Sequence, residues 1–485
     1  MDVHSFVSTL KKVGVECEVR GVDHLILKGV AADTRSMLGA NMFVAIPGLR
    51  FNPLDSLDAM FAAGIRIILS SHYVDDDRFT WILAPSDIGL LTAAAEICYP
   101  EKPQVMVGVT GTNGKTTVVE LMRQLWVAQG INAASLGTLG LCVADHVPVP
   151  GLTTPDALTL RQTFQELVAR SVSHLAMEVS SHGLDQGRVS GLCFQASVFT
   201  NLSQDHLDYH HDMAQYLEAK LRLLREHTQE NALIVTATTG SVAAKLSDVA
   251  NNAGLRLWNL HEQDERMGFR TYGHYSNGTE IEIRFAGNIS RVLVPFLPGY
   301  QCENLALAAA SLLDLGFPFD GMMQLLPSLK TANGRLEYVG KTQSGGQVFV
   351  DFAHTADALE KVLKTLRATE KFKKIGLVFG CGGNRDQGKR PLMGKVASDL
   401  ADFVIITDDN PRHEDPHKIR QEIAVSCPSA QICGDRKQAI REGLDQLGAQ
   451  DALLIAGKGH ETGQIYGSEC FPFSDKEVAS QWLES

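Results

Sequence analysis

The chain has 485 residues, of which 44% are hydrophobic and 21% charged, and its formal net charge is −12. This is ordinary globular composition, long enough for about three domains, and its acidic balance excludes nucleic acid as a bulk partner because counterion release needs a basic face. No apolar run approaches the ~18 residues of a membrane span, the first residues carry no apolar core of signal-peptide length, and the nine cysteines lack a paired C-x-x-C spacing; a cytoplasmic protein with free thiols and no membrane insertion is expected.

In chain order, the first ~100 residues hold short apolar runs, "NMFVAIPG" and "GIRIILS", and end at "CYPEKPQ", whose prolines mark a linker. From Val105 the pattern becomes strand–turn–helix: "VMVGVTG" is a continuous apolar run, and "TTVVELMRQLWVAQG" follows with helical spacing. "HLAMEVSSHG" and "ASVFTNLS" repeat the strand theme. "EIEIRFAGNISRVLVPF" alternates about an Asn-containing turn and predicts a hairpin, and a helix from about Asn304 closes the region before the junction "KTANGRLEYV".

Beyond that junction four apolar runs, "GQVFVDFAH", "KIGLVFGCGG", "DFVIITDDNP" and "DALLIAGKGH", alternate with helical segments. Strands alternating with helices predict a doubly wound parallel sheet, with ligands bound beyond the carboxyl ends of the strands. His354, Asn384–Asp386, Asp409–Arg412 and Lys458–Glu461 therefore fall on one rim. The expected architecture is α/β in three domains: a smaller N-terminal α/β domain (1–100), a central P-loop-type parallel-sheet domain with a small antiparallel part (101–332), and a C-terminal Rossmann-like doubly wound domain (333–485).

"GVTGTNGKTT" lies between a predicted strand and a predicted helix, the context that a phosphate-cradling loop requires. Lys115 suits the outer phosphate oxygens and Thr116 a magnesium ion. The common spacing would put the first glycine at Val109; here Gly111 and Gly114 flank the turn instead.

That form, T-G-T-N-G-K-T-T, resembles the loop of the Mur ligases and their folylpolyglutamate synthase relatives. "MEVSSHGL", "FTNLSQDHLDYH", "YLEAK", "NGRLE", "DFAHTADAL" and "GKGHE" match the family in order, closely over the central and C-terminal domains and more loosely over the first ~100 residues, through "DTRS" and "MFVAIPG". The resemblance implies an ATP-dependent ligase of the branch that adds the third amino acid of the peptidoglycan peptide. Its acceptor would be UDP-N-acetylmuramoyl-L-alanyl-D-glutamate (UDP-MurNAc-dipeptide), activated as an acyl phosphate, and Mg2+ its cofactor. The chemistry is mainly positioning and charge neutralisation.

The resemblance implies Lys115, Lys220, Glu178 and His206 as catalytic residues. ATP would be held by Gly111, Thr112, Asn113, Gly114, Lys115, Thr116, Thr117, Asn304, Arg335, Asp351 and His354, with Gln301 where relatives carry a first asparagine. The metal ligands would be Thr116, Glu178, His206 and Lys220 as a carbamate. By spacing alone Lys220 reads as a solvated helix lysine, Glu178 as a helix cap, and His206, His210 and His211 are not told apart; Asp205 and Asp208 stand ready to orient a histidine. The acceptor's matching positions are Thr153, Thr154, Ser180, Gln186 and Arg188, with Thr34 and Arg50, equally readable as a surface turn, for its uridine end.

The incoming amino acid would meet Arg385, Asp409, Asn410, Pro411, Arg412, Gly457 and Glu461. Meso-diaminopimelate ends in an amine and a carboxylate; Arg412 suits the carboxylate and Glu461 the amine, whereas lysine would leave Arg412 unmatched. Alternatively Arg412 pairs with Glu414 or Asp415 at the surface; on the diaminopimelate reading those two carboxylates face solvent. The expected partners are these small-molecule substrates, and the chain is expected to act as a monomer whose domains close over them.

Overall fold

Each predicted apolar run becomes a strand with both faces covered. In the computed structural model, which describes residues 1–47, 51–85, 87–143, 151–262, 264–275, 278–296 and 299–484, a five-stranded sheet comes first. Its order is Glu18–Arg20, Thr80–Leu83, Ile67–Ser70, Met42–Ala45, Val30–Ala31, parallel except for the Glu18–Arg20 edge. Met42–Ala45 and Ile67–Ser70 are buried at all positions. Val3, Phe6 and Leu10 of the first helix pack on one face, and Met60 belongs to the core on the other.

The second sheet has seven strands in the order Arg256–Asn259, Thr228–Thr236, Phe194–Phe199, Val105–Thr110, His174–Glu178, Ala133–Gly137, Gly140–Cys142. All are parallel except the last, which returns against Ala133–Gly137. The helices Lys115–Ala128 and Tyr300–Asp314 pack their apolar sides into one core, while Leu160, Phe164 and Leu167 of the helix Ala157–Ala169 fill the other face. Each such buried side chain contributes on the order of 1.5–3 kcal/mol.

Two details depart from the sequence reading. The hairpin has a third strand, Met267–Tyr275, and its turn is Ala286–Gly287, both at positive φ, with Asn288 already in the return strand. The closing helix starts at Tyr300, because Gly299 turns the chain at φ 82 and Asn304 is already one turn inside.

The third sheet runs Glu337–Lys341, Gln347–Asp351, Asp451–Ala456, Lys374–Phe379, Phe403–Ile406, Gln431–Ile432, parallel except for its first strand. Helices Ala356–Ala368, Lys389–Leu400 and Pro416–Ala424 cover one face; Arg436–Asp445 and Asp475–Leu483 cover the other, which makes the sheet doubly wound. A separate hairpin, Gly463–Tyr466 with Glu469–Pro472, lies against the Asp409–Arg412 loop: Arg412 N donates to Ile465 O at 3.0 Å. All nine cysteines are free, and no described helix is long and apolar enough to cross a membrane.

Candidate active site

A cavity of about 360 Å³ separates the carboxyl ends of the second and third sheets, and the phosphate loop forms its floor. Gly111 (φ 137) and Gly114 (φ 88) make the loop possible: a Cβ on Gly111 would meet Thr200 Oγ1 at 2.0 Å, and one on Gly114 would meet Asn304 Oδ1 at 2.5 Å. "FTNLS" is the loop's anchor, since Thr200 Oγ1 donates to Asn113 O (2.6 Å) and Asn201 Oδ1 accepts from Asn113 N (3.0 Å). Lys115 Nζ donates to the carbonyls of Gly111 and Thr112 (2.9 and 2.8 Å), contacts that an incoming phosphate can replace. Burial lowers its pKa, against the opposing pull of Glu178 and Asp205.

Glu178 is not a helix cap; Ser180 takes that role by accepting from Gly183 N. The Glu178 carboxylate accepts from Thr116 Oγ1 (2.9 Å) and Thr138 N (2.8 Å), so an oxygen pair faces the phosphate loop. Arg335 crosses from the other sheet, donating to Thr116 Oγ1 at 2.9 Å and stacking over Phe352 at 4.3 Å.

Lys220 is not a solvated helix lysine. It is 1% exposed, its Nζ donates to Gly111 O at 2.8 Å and sits 4.3 Å from the centre of the Tyr216 ring, and burial drives its pKa well below the ordinary value. A buried lysine in its neutral form is a nucleophile toward CO2, as carboxylation requires.

Among the three histidines left open by spacing, His206 faces the cavity, His210 is buried in a ring cluster with His182 and Tyr216, and His211 is exposed. Its neighbour Asp205 is shared: His206 Nε2 lies 3.4 Å from Asp205 Oδ2, and His354 Nε2, from the third sheet, 3.5 Å from the same oxygen. Burial works to raise the Asp205 pKa, but the two histidines hold it well below the usual carboxylate range. Asp208, the other candidate for orienting a histidine, is exposed.

Asn304 lines the cavity, whereas Gln301 is buried but does not; Thr117 lies beside Thr116 on the same floor. Asp351 accepts from Leu336 N (2.5 Å) and Ala353 N (2.7 Å), and burial raises its pKa to about 6. Asn113 Nδ2 donates to Asp357 Oδ2 (2.9 Å) and Gln204 Nε2 to Asp386 Oδ2 (3.1 Å), so the two sheets are closed on each other across the cavity.

On the opposite wall stand Arg385, Asp409, Asn410, Arg412, Gly457 and Glu461. Arg412 is half-buried at φ 53 and donates to Gly383 O at 2.8 Å; its Nε and Nη2 make no hydrogen bond among the described residues. Burial lowers its pKa, and the nearby Arg385 adds to this. Neither carboxylate that could have paired with it does so. Glu414 is not solvent-facing: it accepts from Arg390 Nη2 at 2.9 Å and from Asn384 N. Asp415 is exposed and caps the helix Pro416–Ala424.

Asp409 Oδ2 is a buried acceptor without a hydrogen-bond partner among the described residues. A Cβ on Gly457 (φ 113) would come within 2.7 Å of that oxygen, so only glycine leaves it open. Asn410 Nδ2 donates to Glu461 Oε2 (2.9 Å), and Lys458 Nζ donates to both Asn410 Oδ1 (3.0 Å) and Glu461 Oε2 (2.8 Å). Pro411 is buried beneath this loop and does not line the cavity.

Thr153 and Ser180 also line the cavity, beside Thr138 and Glu178. Thr154, Gln186 and Arg188 do not; they form a supporting layer in which Arg188 donates to Gln186 Oε1 (2.6 Å) and Thr154 O (2.6 Å), and Thr154 Oγ1 to Ser180 Oγ (3.1 Å). Thr34 lies away from the cavity in the first sheet's part of the chain, and Arg50 falls outside the described residues. Asp205, Asp357, Lys389 and Lys458 were not singled out as ligands by the sequence reading; Asp205, Asp357 and Lys458 meet His354, Asn113 and Asn410, each far away in the chain, and Lys389 lines the cavity.

The chain matches the Mur ligase middle domain over residues 109–312 and the Mur ligase glutamate ligase domain over residues 334–459. It is 40% identical over 465 residues to the UDP-N-acetylmuramoyl-L-alanyl-D-glutamate–2,6-diaminopimelate ligase of Bradyrhizobium diazoefficiens, covering 95% of this chain and 96% of that one. The ligase of the same name from Zymomonas mobilis is 39% identical over 483 residues, covering 98% and 99%. A solved structure of a ligase of that name superposes with a TM-score of 0.65 at 30% identity, over 94% of this chain and 95% of the other. A MurF ligase of Thermotoga maritima in complex with ADP shares the fold at 18% identity, with a TM-score of 0.66 over 94% and 97%.

Proposed function

The chain belongs to the Mur ligase family, and from that premise we infer that it is an ATP-dependent ligase joining meso-diaminopimelate to UDP-MurNAc-L-Ala-D-Glu in peptidoglycan synthesis. The observation that carries this reading is the cavity itself, where the phosphate loop faces Arg412, a cation whose guanidinium fork is open and whose neighbouring carboxylates are engaged elsewhere.

In the first half-reaction a glutamyl carboxylate oxygen of the acceptor attacks the γ-phosphorus of ATP, the bond to the β–γ bridging oxygen breaks, and ADP leaves. In the second, the amine of diaminopimelate attacks the acyl carbon, the C–O bond to phosphate breaks, and the nitrogen gives up a proton to solvent. Lys115 and the loop N–H groups hold the phosphates, Asn304 borders the nucleotide, and Arg335 closes over Thr116. Asp409 takes the reacting amino acid's ammonium end, Arg412 its distal carboxylate and Glu461 its distal amine. Thr153 and Ser180 meet the dipeptide, with Arg188 and Gln186 behind them.

Magnesium fits this donor set. Thr116 and Glu178 present neighbouring oxygens, while no cluster of three or more acidic, histidine or cysteine ligands exists among the described residues; magnesium commonly takes one or two carboxylates and completes its shell with phosphate and water. When bound, it supplies charge neutralisation at the phosphate oxygens. His206 and a carboxylated Lys220 would hold a second ion, a role supported by the burial of Lys220 beside the loop.

The three parts of the chain divide the work: 1–100 for the uridine end, with Thr34 and Arg50 as its contacts, 101–332 for ATP, and 333–485 for the amino acid. We take the active unit to be a monomer, working in the cytoplasm where ATP is available. The test is ADP release by purified protein. Release should require both UDP-MurNAc-L-Ala-D-Glu and meso-diaminopimelate, with L-lysine a poor replacement; release that needs neither would refute the reading.

A further inference from the structure

Lys389 is a cation of the cavity wall without a partner among the described residues. It opens the helix Lys389–Leu400, is 6% exposed and lines the cavity, yet its ammonium makes no hydrogen bond or ion pair among the described residues. Other buried cations are engaged: Lys220 by Gly111 O, Lys458 by Asn410 and Glu461, Arg390 by Glu414 and Glu422. Leaving a buried ammonium unpaired is costly, so such a group implies an anion that arrives.

Its position says which anion. On one side its charge is felt by the Asp205 carboxylate, next to His206, His354 and the phosphate loop. On the other it is felt by the thiol of Cys381, at the base of the loop whose next residue, Gly382, approaches Arg412: a Cβ there would lie 2.8 Å from Arg412 Nη1. Lys389 thus stands between the end that would hold ATP and the end that would hold the amino acid. Resting on the ligase reading above, we propose that Lys389 is a further catalytic residue, binding the anionic oxygens of the acyl-phosphate group where phosphoryl donor and incoming amine meet. The two half-reactions are unchanged: the lysine keeps all its protons, neutralises the oxygens of the phosphoryl group as it passes to the glutamyl carboxylate, and stabilises the phosphate as it departs. Because Lys389 comes from the third sheet and Lys115 from the second, this charge is complete only when the two sheets are closed on each other.

The experiment compares wild type with Lys389→Met and Lys389→Arg. Initial rates of ADP release are measured with ATP, UDP-MurNAc-dipeptide and meso-diaminopimelate each varied in turn. Acyl-phosphate formation is followed without amino acid, by scrambling of an isotope-labelled β–γ bridging oxygen in ATP. Lys389→Met should lower kcat by about 100-fold or more, as loss of a transition-state donor does, and should slow scrambling, with each KM within about threefold of wild type; Lys389→Arg should recover part of both. An unchanged kcat overturns the proposal. So does a rise confined to the KM of the dipeptide or of diaminopimelate, which would make Lys389 a reader of a substrate carboxylate. If Lys389→Met melts well below wild type, Lys389→Gln carries the same comparison. Failure of the wild-type protein to release ADP in a dipeptide- and diaminopimelate-dependent way would instead strike the ligase reading.

Discussion

Lys458 Nζ donates to Glu461 Oε2 at 2.8 Å from a position with no solvent exposure. The same ammonium holds Asn410 Oδ1, so a single buried lysine fixes one side chain from each of two loops, "DNPR" and "GKGHE". Both contacts of Glu461 fall on Oε2, and Oε1 makes no hydrogen bond among the described residues. The lysine therefore sets the orientation of the carboxylate that would meet the distal amine. Lys458→Met should raise the KM for meso-diaminopimelate about 10-fold or more, given ~1.5–3 kcal/mol for a charged hydrogen bond. The KM for ATP should stay within about twofold. Steady-state kinetics with each substrate varied decides it: equal effects on both KM values would reduce Lys458 to a general stabiliser of the sheet.

Arg412 should govern the choice of amino acid. Its fork faces the cavity because Arg390, buried at 0% exposure, has taken Glu414. Arg412→Ala should lower kcat/KM for meso-diaminopimelate by roughly 10- to 100-fold, the same ~1.5–3 kcal/mol, while leaving the weak use of lysine nearly unchanged. Arg412→Lys keeps the charge without the fork and should fall between the two. A variant that retains the wild-type preference for diaminopimelate over lysine would remove Arg412 from the specificity argument.

The groups that could be read in the sequence are those whose local chemistry admits few alternatives. A strand, two glycines, Lys115 and Thr116 leave little but a phosphate loop, and the carboxyl ends of parallel strands leave little but a rim. Lys220 was different. Its burial comes from the approach of Gly111, in the phosphate loop, to its helix, which no spacing within "YLEAKLRLL" reveals; Tyr216 lies one turn earlier on the same helix. The role of Glu414 depends in the same way on a helix that brings Arg390 from 24 residues away. Met267–Tyr275 escaped because most of its residues are at least partly exposed, so it lacks the apolar signature of the central strands. Local patterns report backbone geometry and sheet position; desolvation and pairing belong to the tertiary structure.

Behind the rim lies an ion pair with no exposure on either partner, Arg436 with Asp475, at 2.7 Å. Arg436 also donates to Ala456 O (2.9 Å) and Asp408 O (3.3 Å), the ends of the segments that lead into "GKGHE" and "DNPR". Asp475→Ala would leave a buried guanidinium half unpaired, at a cost of about 3–5 kcal/mol. Thermal unfolding should shift down accordingly, and amide exchange should accelerate at residues 403–412 and 451–461 before it does in the second sheet. Uniform acceleration across all three sheets would contradict a clamp local to the rim.

Asp351 should impose a pH dependence of unusual sign. Burial raises its pKa from 3.8 to about 6, despite Arg335 and the N–H groups of Leu336 and Ala353. The folded chain therefore binds more protons than the unfolded chain between those values, and stability falls as pH rises. This contribution is fully present below about pH 4 and is lost on passing through about 6, on the order of 2–3 kcal/mol for the shift. Asp351→Asn cannot ionise, so it supplies the reference. Urea unfolding at several pH values from about 4 to 7.5 should show wild type losing stability relative to Asp351→Asn as pH increases. A relative gain would mean that the Arg335 guanidinium outweighs burial and that Asp351 is folded in its charged form.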